Sequence, residues 1–411
     1  MESRIGQIVV VGGGYAAVSA IETLRDEGYD GRILLISEET ELPYDRPPLS
    51  KAYLKGEQPL KDLIFHDEAW YRAKNVDVEL GQAVSSLDLA GRAVTTASGK
   101  RFAYDRLLLV TGARPRPLHG PFEQSGVILN YLRSRADADR LREMAKPGTR
   151  VVLVGGGVIG MEVAATLAAM ACKVTVLEAA DRVMGRFLPT ELSELLAQIH
   201  RSRGVDVRTQ VVIESIQRSG AGGAVIGLQD GGNVEADWII VGVGIIPNCE
   251  LAENAGLPIR LQGVEVNSQA RTGAAQVYAA GDVTAFEIAG VWTRWENWTH
   301  ARHQAVVAAK NMLGREVPYW DVPWVWSHQY EFNVQVTGAP HGDRIVQRGN
   351  LESGKLIVFH LKNERLVGAT TINESKHKSS IRKLVESRAV LSQETLADAS
   401  VDLKKLAASI Q

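Results

Sequence analysis

Residues 8–17 read Ile-Val-Val-Val-Gly-Gly-Gly-Tyr-Ala-Ala, an apolar stretch that runs into glycines and then into small residues. Residues 151–160 repeat the pattern as Val-Val-Leu-Val-Gly-Gly-Gly-Val-Ile-Gly. We call these stretches the first and second fingerprints. In a strand–turn–helix of this kind, the first glycine allows a tight turn, the second lets the backbone approach a pyrophosphate, and the third lets helix and strand pack closely. Two copies predict two dinucleotides in one chain, and so electrons passed between them.

Three small residues occupy the key positions of each fingerprint. They are Gly12, Gly14 and Ala17 in the first fingerprint, and Gly155, Gly157 and Gly160 in the second. Ala17 is a small replacement for the third glycine. The helix that follows offers unpaired N–H groups and the positive end of its dipole to the phosphates. One such turn can be purely structural, but two copies in complete strand–helix–strand context favour binding.

A carboxylate follows each fingerprint at the end of the next apolar run. Glu38 and Glu178 stand about 20 residues after the turns, where a carboxylate accepts hydrogen bonds from ribose hydroxyls. Glu178 would repel a 2′-phosphate, and residues 179–181 contain no basic cluster. The second site is therefore predicted to prefer NADH over NADPH. Arg182 and Arg186 are the two residues that could reverse this preference.

The composition is that of an ordinary globular protein. The chain has 411 residues, 45% hydrophobic and 23% charged, with a net charge of −2. That length predicts two or three domains, and the charge gives no argument for nucleic acid or a membrane surface. No apolar run approaches the roughly 18 residues of a membrane-spanning helix, and the chain runs early into a strand, so we expect a cytoplasmic protein. Cys172 and Cys249 form no CxxC pair, so neither a dithiol centre nor a metal site is expected.

Changes in pattern along the chain predict an α/β fold in several domains. A proline-rich loop at 42–51 follows the first strand–helix–strand, and Pro115 marks a boundary. The strand-like stretch at 278–283 indicates that the chain returns to the first domain. Beyond Pro318 the segments 332–337, 355–361 and 365–372 alternate like antiparallel strands, and a basic helix is predicted at 375–388. The predicted domains are residues 1–114 with 246–320, residues 115–245, and an α+β domain at 321–411.

Several further motifs become interpretable only together with the two fingerprints. They are Leu-Pro-Tyr-Asp-Arg-Pro-Pro-Leu-Ser-Lys at 42–51, Thr111-Gly112, Glu162 behind the second fingerprint, Ala-Gly-Asp at 280–282 and Pro-Trp-Val-Trp-Ser at 323–327. In this order they resemble the FAD-dependent, NADH-using ferredoxin reductases of bacterial oxygenase systems, the family of putidaredoxin reductase and the aromatic-ring dioxygenase reductases. The resemblance covers nearly the whole chain. Its family-specific parts are the Pro-Pro-Leu-Ser-Lys and Pro-Trp-x-Trp-Ser segments.

The resemblance implies a two-dinucleotide flavoprotein fold, similar to that of glutathione reductase, with a small C-terminal α+β domain. The first domain would hold FAD and the second NADH. The residues implied for FAD are Gly12, Gly14, Ala16, Ala17, Glu38, Arg46, Lys51, Val84, Thr111, Gly112, Arg133, Asp282 and Trp298. Those implied for NADH are Gly155, Gly157, Gly160, Glu178 and Gly244. Lys51 would lie near the flavin N5 and Glu162 would face it, so both are implied as catalytic residues.

The reaction implied by the resemblance is hydride transfer from NADH to FAD, followed by single-electron transfer to a 2Fe–2S ferredoxin that feeds a Rieske-type or haem oxygenase. A basic surface could steer such an acidic partner. Its candidates are Arg302, Lys376, Lys378, Arg382 and Lys383, although a charge run is also typical of a merely solvated face. One departure is visible, because His328 stands where relatives commonly carry an acidic residue.

Three alternatives remain open at this stage. A rubredoxin in place of the ferredoxin is a variant of the same function. A disulfide reductase or NADH oxidase needs a reactive cysteine on the FAD side, and no cysteine precedes Cys172. A flavin-bearing, NADH-binding interaction or signalling protein, similar to apoptosis-inducing factor, would not need a ferredoxin. Lys51, Glu162 and Glu178 favour turnover over this last alternative.

Overall fold

The chain folds into two compact units. The computed structural model describes residues 5–120, 123, 125–220 and 222–410. One unit contains the chain up to Asp45 with Leu60–Arg114 and Ile245–Asp321. The other contains Arg46–Pro59, Pro115–Gly244 and the chain from Val322 onwards. The predicted three-domain division stays a prediction, since its second and third parts share one unit.

Strands and helices alternate through both units. In chain order the strands are β1 (Gln7–Val11), β2 (Arg32–Ile36), β3 (Val76–Glu79), β4 (Val84–Asp88), β5 (Ala93–Thr96), β6 (Arg101–Ala103), β7 (Arg106–Leu109), β8 (Ala113–Pro115), β9 (Leu129–Asn130), β10 (Arg150–Val154), β11 (Lys173–Leu177), β12 (Asp206–Arg208), β13 (Ile213–Arg218), β14 (Ala224–Leu228), β15 (Asn233–Ala236), β16 (Trp238–Val241), β17 (Ile245–Pro247), β18 (Ile259–Arg260), β19 (Gly263–Glu265), β20 (Val277–Ala279), β21 (Thr284–Ile288), β22 (Val291–Thr293), β23 (Trp324–Gln329), β24 (Phe332–Gly338), β25 (Arg344–Asn350), β26 (Lys355–Lys362) and β27 (Arg365–Ile372). The helices are α1 (Tyr15–Asp26), α2 (Ala52–Lys55), α3 (Glu68–Ala73), α4 (Arg135–Met144), α5 (Val158–Ala169), α6 (Thr190–Ser202), α7 (Glu250–Asn254), α8 (Trp298–Met312), α9 (Lys378–Glu386), α10 (Gln393–Ala397) and α11 (Leu403–Ser409).

A parallel sheet in the order β20-β7-β1-β2-β3 forms the centre of the first unit. Strand β1 is buried along almost its whole length, as expected for a strand covered on both faces. Helix α1 packs against α8 on one face through small residues, among them Ala17, Ala20, Ala305 and Ala308. The stretch that was expected to return to this domain forms β20, which pairs with β7.

The second unit repeats the spatial order of these strands, although its outer strand β9 comes first in the chain whereas β20 comes last. Its parallel sheet has the order β12-β11-β10-β16-β9, with β10 in the place of β1. Each unit also carries an inserted three-stranded antiparallel sheet. In the first unit β4-β5-β6 lies between β3 and β7 in the chain, and in the second β13-β14-β15 lies between β12 and β16. The two sheets confirm the predicted α/β class and the internal repeat.

A five-stranded antiparallel sheet, β23-β24-β27-β26-β25, ends the second unit. The three strands predicted from alternation are present as β24, β26 and β27, and the predicted basic helix is α9. Helix α9 buries Ile381 and Leu384 against this sheet. None of the helices in the described ranges is long and apolar enough to cross a bilayer.

Candidate active site and dinucleotide sites

The turn of the first fingerprint has a backbone that only glycine fits. Gly12 has φ +120°, and a Cβ there would lie 2.2 Å from the carbonyl oxygen of Val110. Gly14 is the N-cap of α1, and a Cβ built on it would meet no atom within 4 Å. The backbone at Gly14 is therefore open to a close-approaching group.

The first turn of α1 keeps its N–H groups free of side-chain caps. Its N-cap makes no side-chain hydrogen bond, and the first turn contains no acidic residue. Helix α4 differs, because Ser134 and Asp137 form a capping box there. An uncapped, acid-free N-terminus fits an anion. Ala16 and Ala17 are buried beneath it.

The second fingerprint has the same geometry, with a further close contact at its third glycine. Gly155 has φ +105°, and a Cβ there would lie 2.5 Å from the carbonyl oxygen of Gly242. A Cβ on Gly160 would lie 2.1 Å from the carbonyl oxygen of Gly155. Gly157 is the N-cap of α5, which has neither a side-chain cap nor an acid in its first turn. Both turns thus fit the pyrophosphate of a dinucleotide.

Glu178 holds the second turn from the end of β11. Its carboxylate accepts hydrogen bonds from the backbone N–H of Gly156 at 2.6 Å and from that of Ala180 at 2.7 Å. Arg182 is paired with Asp181 at 3.0 Å. An arginine held by a carboxylate is less available to a 2′-phosphate, which supports the predicted NADH preference. That preference stays a prediction.

The first unit brings other predicted FAD residues to the same sheet edge. Gly281 has φ +81°, and its Cβ position lies 3.6 Å from the Cβ of Ala16, so the turn that carries Asp282 abuts α1. Thr111 and Asn248 exchange hydrogen bonds, the hydroxyl of Thr111 reaching the Asn248 carbonyl at 2.8 Å. Gly112 follows directly, with φ +64°. Glu38 is exposed just beyond β2 at this edge, whereas Val84 begins β4 in the three-stranded antiparallel sheet.

Trp298 is fixed by residues that sequence reasoning missed. It stacks on Tyr15 with ring centroids 4.1 Å apart, and its indole N–H donates to Asp45 at 2.9 Å. Tyr15 also stacks on Phe65. Tyr15 stands inside the first fingerprint and Asp45 inside the proline-rich loop, so their positions in the motifs were the available signal. An aromatic ring so held suits packing against a planar ligand.

The remaining predicted FAD residues, Arg46, Lys51 and Arg133, belong to the second unit. The guanidinium of Arg46 donates to the carbonyl oxygen of Arg133 at 2.9 Å. Gly244, predicted for NADH, has φ +109° and accepts a hydrogen bond from the Arg116 N–H. The roles of all four in binding stay predictions.

Lys51 and Glu162 form a largely buried ion pair. The Lys51 ammonium lies 2.6 Å from Glu162 Oε2, and only 2% of the glutamate side chain is exposed. Ser50 donates to the same oxygen at 2.5 Å, and Ser327 donates to Oε1 at 2.8 Å. Lys51 also donates to the Pro47 carbonyl at 3.0 Å. These bonds offset the cost of burying two charges. The catalytic role of the pair stays a prediction.

Alternation along β23 gives the Pro-Trp-x-Trp-Ser segment two faces. Ser327 and Gln329 are buried, and His328 between them points the other way. The pKa of His328 is lowered, first by partial burial of its ring and then by the positive charge of Lys51. His328 is therefore largely neutral at pH 7 and gives no acidic charge at this position.

The predicted basic surface is only partly free. Lys378 lies over the ring of Trp324 at 3.2 Å from its centroid, and Arg382 pairs with Glu386 at 2.8 Å. Lys376 lies 3.4 Å from the carboxylate of Glu374, whereas Lys383 is exposed on α9. Arg302 is exposed on α8, in the other unit.

Both cysteines are buried free thiols. Burial raises the pKa of Cys172, and it raises the pKa of Cys249 to about 11. A reactive thiol needs a lowered pKa and access to solvent. Neither cysteine therefore fits a redox-active role.

Comparison with known proteins gives this site a family. The family described as pyridine nucleotide-disulphide oxidoreductase matches residues 6–305, and a reductase C-terminal family matches residues 324–407. The chain belongs to the pyridine nucleotide-disulphide oxidoreductase family. Membership confirms the predicted fold class and an oxidoreductase that uses FAD and a nicotinamide dinucleotide.

Relatives extend over nearly the full length of this family member. The ferredoxin–NAD(+) reductase component of the anthranilate 1,2-dioxygenase system of Burkholderia cepacia is 37% identical over 96% of this chain and 98% of its own. The structure of the covalent putidaredoxin reductase–putidaredoxin complex matches with a TM-score of 0.92 at 34% identity, covering 98% of this chain and 99% of that one. The ferredoxin reductase for the CYP199A2 system from Rhodopseudomonas palustris matches with a TM-score of 0.93 at 35% identity, with the same coverage. The resemblance stated from sequence is confirmed.

Proposed function

We propose that this chain is an NADH-dependent reductase that carries FAD and passes single electrons to a 2Fe–2S ferredoxin, which in turn feeds a Rieske-type or haem oxygenase. The observation that carries the proposal is the combination of two uncapped helix N-termini with two inert cysteines. A chain that binds two dinucleotides and has no reactive thiol passes its electrons to an external carrier. Full-length relatives named as ferredoxin reductases support that carrier.

The NADH site in this proposal is the second fingerprint. The N–H groups at the start of α5 receive the pyrophosphate, and the open backbone at Gly157 lets it approach. Glu178 uses one lone pair of each oxygen on backbone N–H groups, which leaves the others for ribose hydroxyls. Gly160 lets α5 pack close enough to present this N-terminus.

The FAD site in this proposal is the first fingerprint with the turn that carries Asp282. FAD, when bound, accepts a hydride from NADH and returns the electrons singly. The start of α1 binds the pyrophosphate, and Glu38 binds a ribose. Trp298, held by Tyr15 and Asp45, orients the ring system.

Lys51 and Glu162 carry the catalytic role in this proposal. Lys51, whose side chain is only 20% exposed, would supply a positive charge that stabilises the reduced flavin. Glu162 is anchored by Ser50 and Ser327, so it fixes the ammonium group without itself moving. The pair therefore positions a charge and transfers no proton.

The ferredoxin is proposed to dock near α9. The basic residues on this helix and just before it would steer the ferredoxin towards this surface. Lys383 is exposed, and Lys376 is exposed beside Glu374. Exposed cations of this kind raise the rate of encounter with an acidic protein more than the final affinity. Arg302, exposed on α8 in the other unit, is proposed as a further cation that attracts the ferredoxin.

An anaerobic titration tests the proposal. A yellow protein whose flavin absorption is bleached by about one equivalent of NADH, and less readily by NADPH, is expected. Cytochrome c should then be reduced rapidly only when a 2Fe–2S ferredoxin is added. Protein that cannot be reconstituted with FAD would overturn the proposal, and bound flavin that neither nucleotide reduces would overturn it in favour of a flavin-bearing interaction protein. Rubredoxin in place of the ferredoxin tests the variant.

We infer a cytoplasmic location for this reductase. Two buried cysteines without a disulfide suit a reducing compartment. Activity that partitions with the membrane or periplasmic fraction of a cell lysate would contradict this location.

A further inference from the structure

A connected row of buried polar side chains extends behind Glu162. Ser327 on β23 donates to Glu162 at 2.8 Å, and Gln329 donates through Nε2 to the Ser327 hydroxyl at 2.9 Å. The Gln329 Oε1 lies 2.8 Å from His200 Nε2 on α6. Gln329 and His200 are completely buried, and Ser327 is nearly so. Tyr330 completes the row, with its hydroxyl 3.4 Å from His200 Nδ1.

The chemistry of each group fixes the direction of these hydrogen bonds. A carboxylate only accepts, so Ser327 donates to Glu162 and accepts from the Gln329 amide N–H. The Gln329 Nε2 also faces the sulfur of Met184 at 3.3 Å, so its oxygen accepts from His200. His200 must then carry its proton on Nε2 and accept on Nδ1. Every donor in the row thus points towards Glu162.

The protonation states of the two end groups agree with this direction. Burial lowers the pKa of His200, which keeps the ring neutral at pH 7. Burial raises the pKa of Tyr330 to about 12, so its hydroxyl keeps its proton and can donate. A neutral histidine with a fixed tautomer is a defined hydrogen-bond donor rather than a charge.

Apolar side chains would be a less costly way to join α6 to β23. Buried polar groups are tolerated only when every partner is satisfied, and replacing them with well-packed apolar groups is often neutral or stabilising. The row is fully directed at the one buried carboxylate that binds Lys51. The row therefore ties the contact between α6 and β23 to the position of this carboxylate.

We propose that Gln329 and His200 are positioning residues that fix the Ser327 hydroxyl on Glu162 and thereby hold the Lys51 charge in place. They touch neither substrate nor cofactor and act only through Glu162. This inference rests on the proposed function, because it assigns the two residues to the step that Lys51 serves. It adds to the catalytic pair a support that reaches from β23 to α6.

Single and double substitutions in the FAD-loaded protein test the inference. Ser327→Ala, Gln329→Met and His200→Leu should each slow flavin reduction by NADH about 3- to 10-fold, with FAD content and the NADH Kd unchanged. His200→Gln keeps an N–H donor and should stay within about 2-fold of the parent rate. The double variant S327A/Q329M should be no slower than S327A, because Gln329 acts through Ser327.

Two controls separate positioning from general damage to the core. His360 is another completely buried histidine, bonded to Thr370 within the same unit, and His360→Gln should leave the rate unchanged. Nitrogen NMR of the histidine rings gives their tautomers and so tests the inference without measuring turnover. It should show His200 as the neutral Nε2–H form in the parent protein and loss of that preference in Gln329→Met.

Several results would overturn the inference. They are a parent-like rate in His200→Leu, additive effects of S327A and Q329M, or a His200 ring protonated on Nδ1. If His200→Leu does not fold, the S327A/Q329M comparison still decides the question. A parent protein that NADH does not reduce would overturn the proposed function together with this inference. A reduced parent with unaffected variants would overturn this inference alone.

Discussion

Lys51 is the residue on which the proposed chemistry depends most directly. Its side chain is only 20% exposed, and its ammonium group is bound to Glu162. We expect Lys51→Ala to keep FAD but to slow flavin reduction by NADH about 100-fold, because a positioned charge in a water-poor site is lost. Rapid mixing with detection of flavin absorption measures the rate. Lys55 is an exposed lysine one turn further on, and Lys55→Ala should behave like the parent protein. An unchanged rate in Lys51→Ala would contradict the catalytic role of Lys51.

Glu178 is the residue that should decide between NADH and NADPH. Its carboxylate accepts a hydrogen bond from the Gly156 N–H and, in the proposed NADH site, faces the adenosine ribose. Glu178→Gln keeps the shape and one of the two backbone hydrogen bonds but removes the charge that repels a 2′-phosphate. The ratio of kcat/KM for NADH over NADPH should fall about 10-fold, since an uncompensated like charge is removed. The same ratio in parent and variant would show that selectivity lies elsewhere.

Candidate site residues could be predicted where a local motif carried the information, but not where the contact depends on a partner distant in the sequence. The fingerprint glycines and Glu178 follow from the local sequence. Lys51 and Glu162 are 111 residues apart, and only the resemblance linked them. Ser327 lies 165 residues from Glu162, and nothing local indicates that its hydroxyl bonds a carboxylate there. Such contacts depend on how helices and strands pack, which no spacing in the sequence encodes.

At the scale of the element, the two glycines at the start of α5 should differ in their effects. Gly160 is needed for packing and for NADH binding, and the N-cap Gly157 only for NADH binding. A Cβ on Gly160 would lie 2.1 Å from the Gly155 carbonyl, so the helix must shift. Gly160→Ala should therefore lower the free energy of unfolding by about 1–3 kcal/mol and weaken NADH binding as well. Gly157 has φ −73° and a Cβ there would lie 4.0 Å from the nearest atom. Gly157→Ala should fold normally and weaken only NADH binding.

Denaturant unfolding and NADH titration of the two variants measure these outcomes. Ala17 occupies the equivalent of Gly160 in the first fingerprint and is completely buried without disrupting α1. The structure therefore predicts that the second turn is the tighter of the two. Equal stability of the Gly157→Ala and Gly160→Ala variants would contradict the close contact at Gly160.

Helix α9 and the short helical turn before it, which carries Lys376, are predicted to speed ferredoxin binding. Lys376→Glu with Lys383→Glu should lower the rate of electron transfer to a 2Fe–2S ferredoxin about 10-fold at low salt, while flavin reduction by NADH is unaffected. The effect should shrink as salt is raised, because exposed charges are screened. Lys355→Glu, an exposed lysine at the start of β26, is the control. A loss that does not depend on salt would contradict steering by these lysines.

The elements themselves were predictable to different degrees. Buried parallel strands such as β1 and β10 are continuous apolar runs, which the sequence displays directly. Strands β24, β26 and β27 alternate clearly. Strand β25 was missed because most of its residues are exposed at the edge of its sheet, so no apolar period marks it. Strand β23 was recognised only as a motif, because its tryptophans and polar residues mask the alternation.

At the scale of the whole molecule, duplication is the organising feature. Each unit builds a five-stranded parallel sheet around its fingerprint strand, and each inserts a three-stranded antiparallel sheet. The repeat was predictable because both copies keep the glycines. The division of the chain into units was less predictable, because residues 46–59, which include Lys51, belong to the second unit although the segments on both sides belong to the first. A chain that crosses between units leaves no mark in composition.

Buried neutral histidines in both units should make the whole protein sensitive to mild acid. His200, His300 and His360 are completely buried. Burial lowers the pKa of His200 below its usual 6.5, that of His360 to about 4 and that of His300 to about 3. Below pH 6.5 the unfolded chain takes up protons that the folded chain refuses. Stability is therefore fully present above that pH and is lost as pH falls towards the folded pKa values.

Each of these histidines should contribute a loss of up to about 1.4 kcal/mol per pH unit. Between pH 6.5 and about 4.5 most carboxylates remain ionised, so the histidines dominate this window. Denaturant unfolding of the FAD-loaded protein at pH 7.5 and pH 5 should show the loss, and His360→Gln should show a shallower dependence because one refused proton is gone. A free energy of unfolding that stays level across this range would mean that these rings accept protons in the folded state.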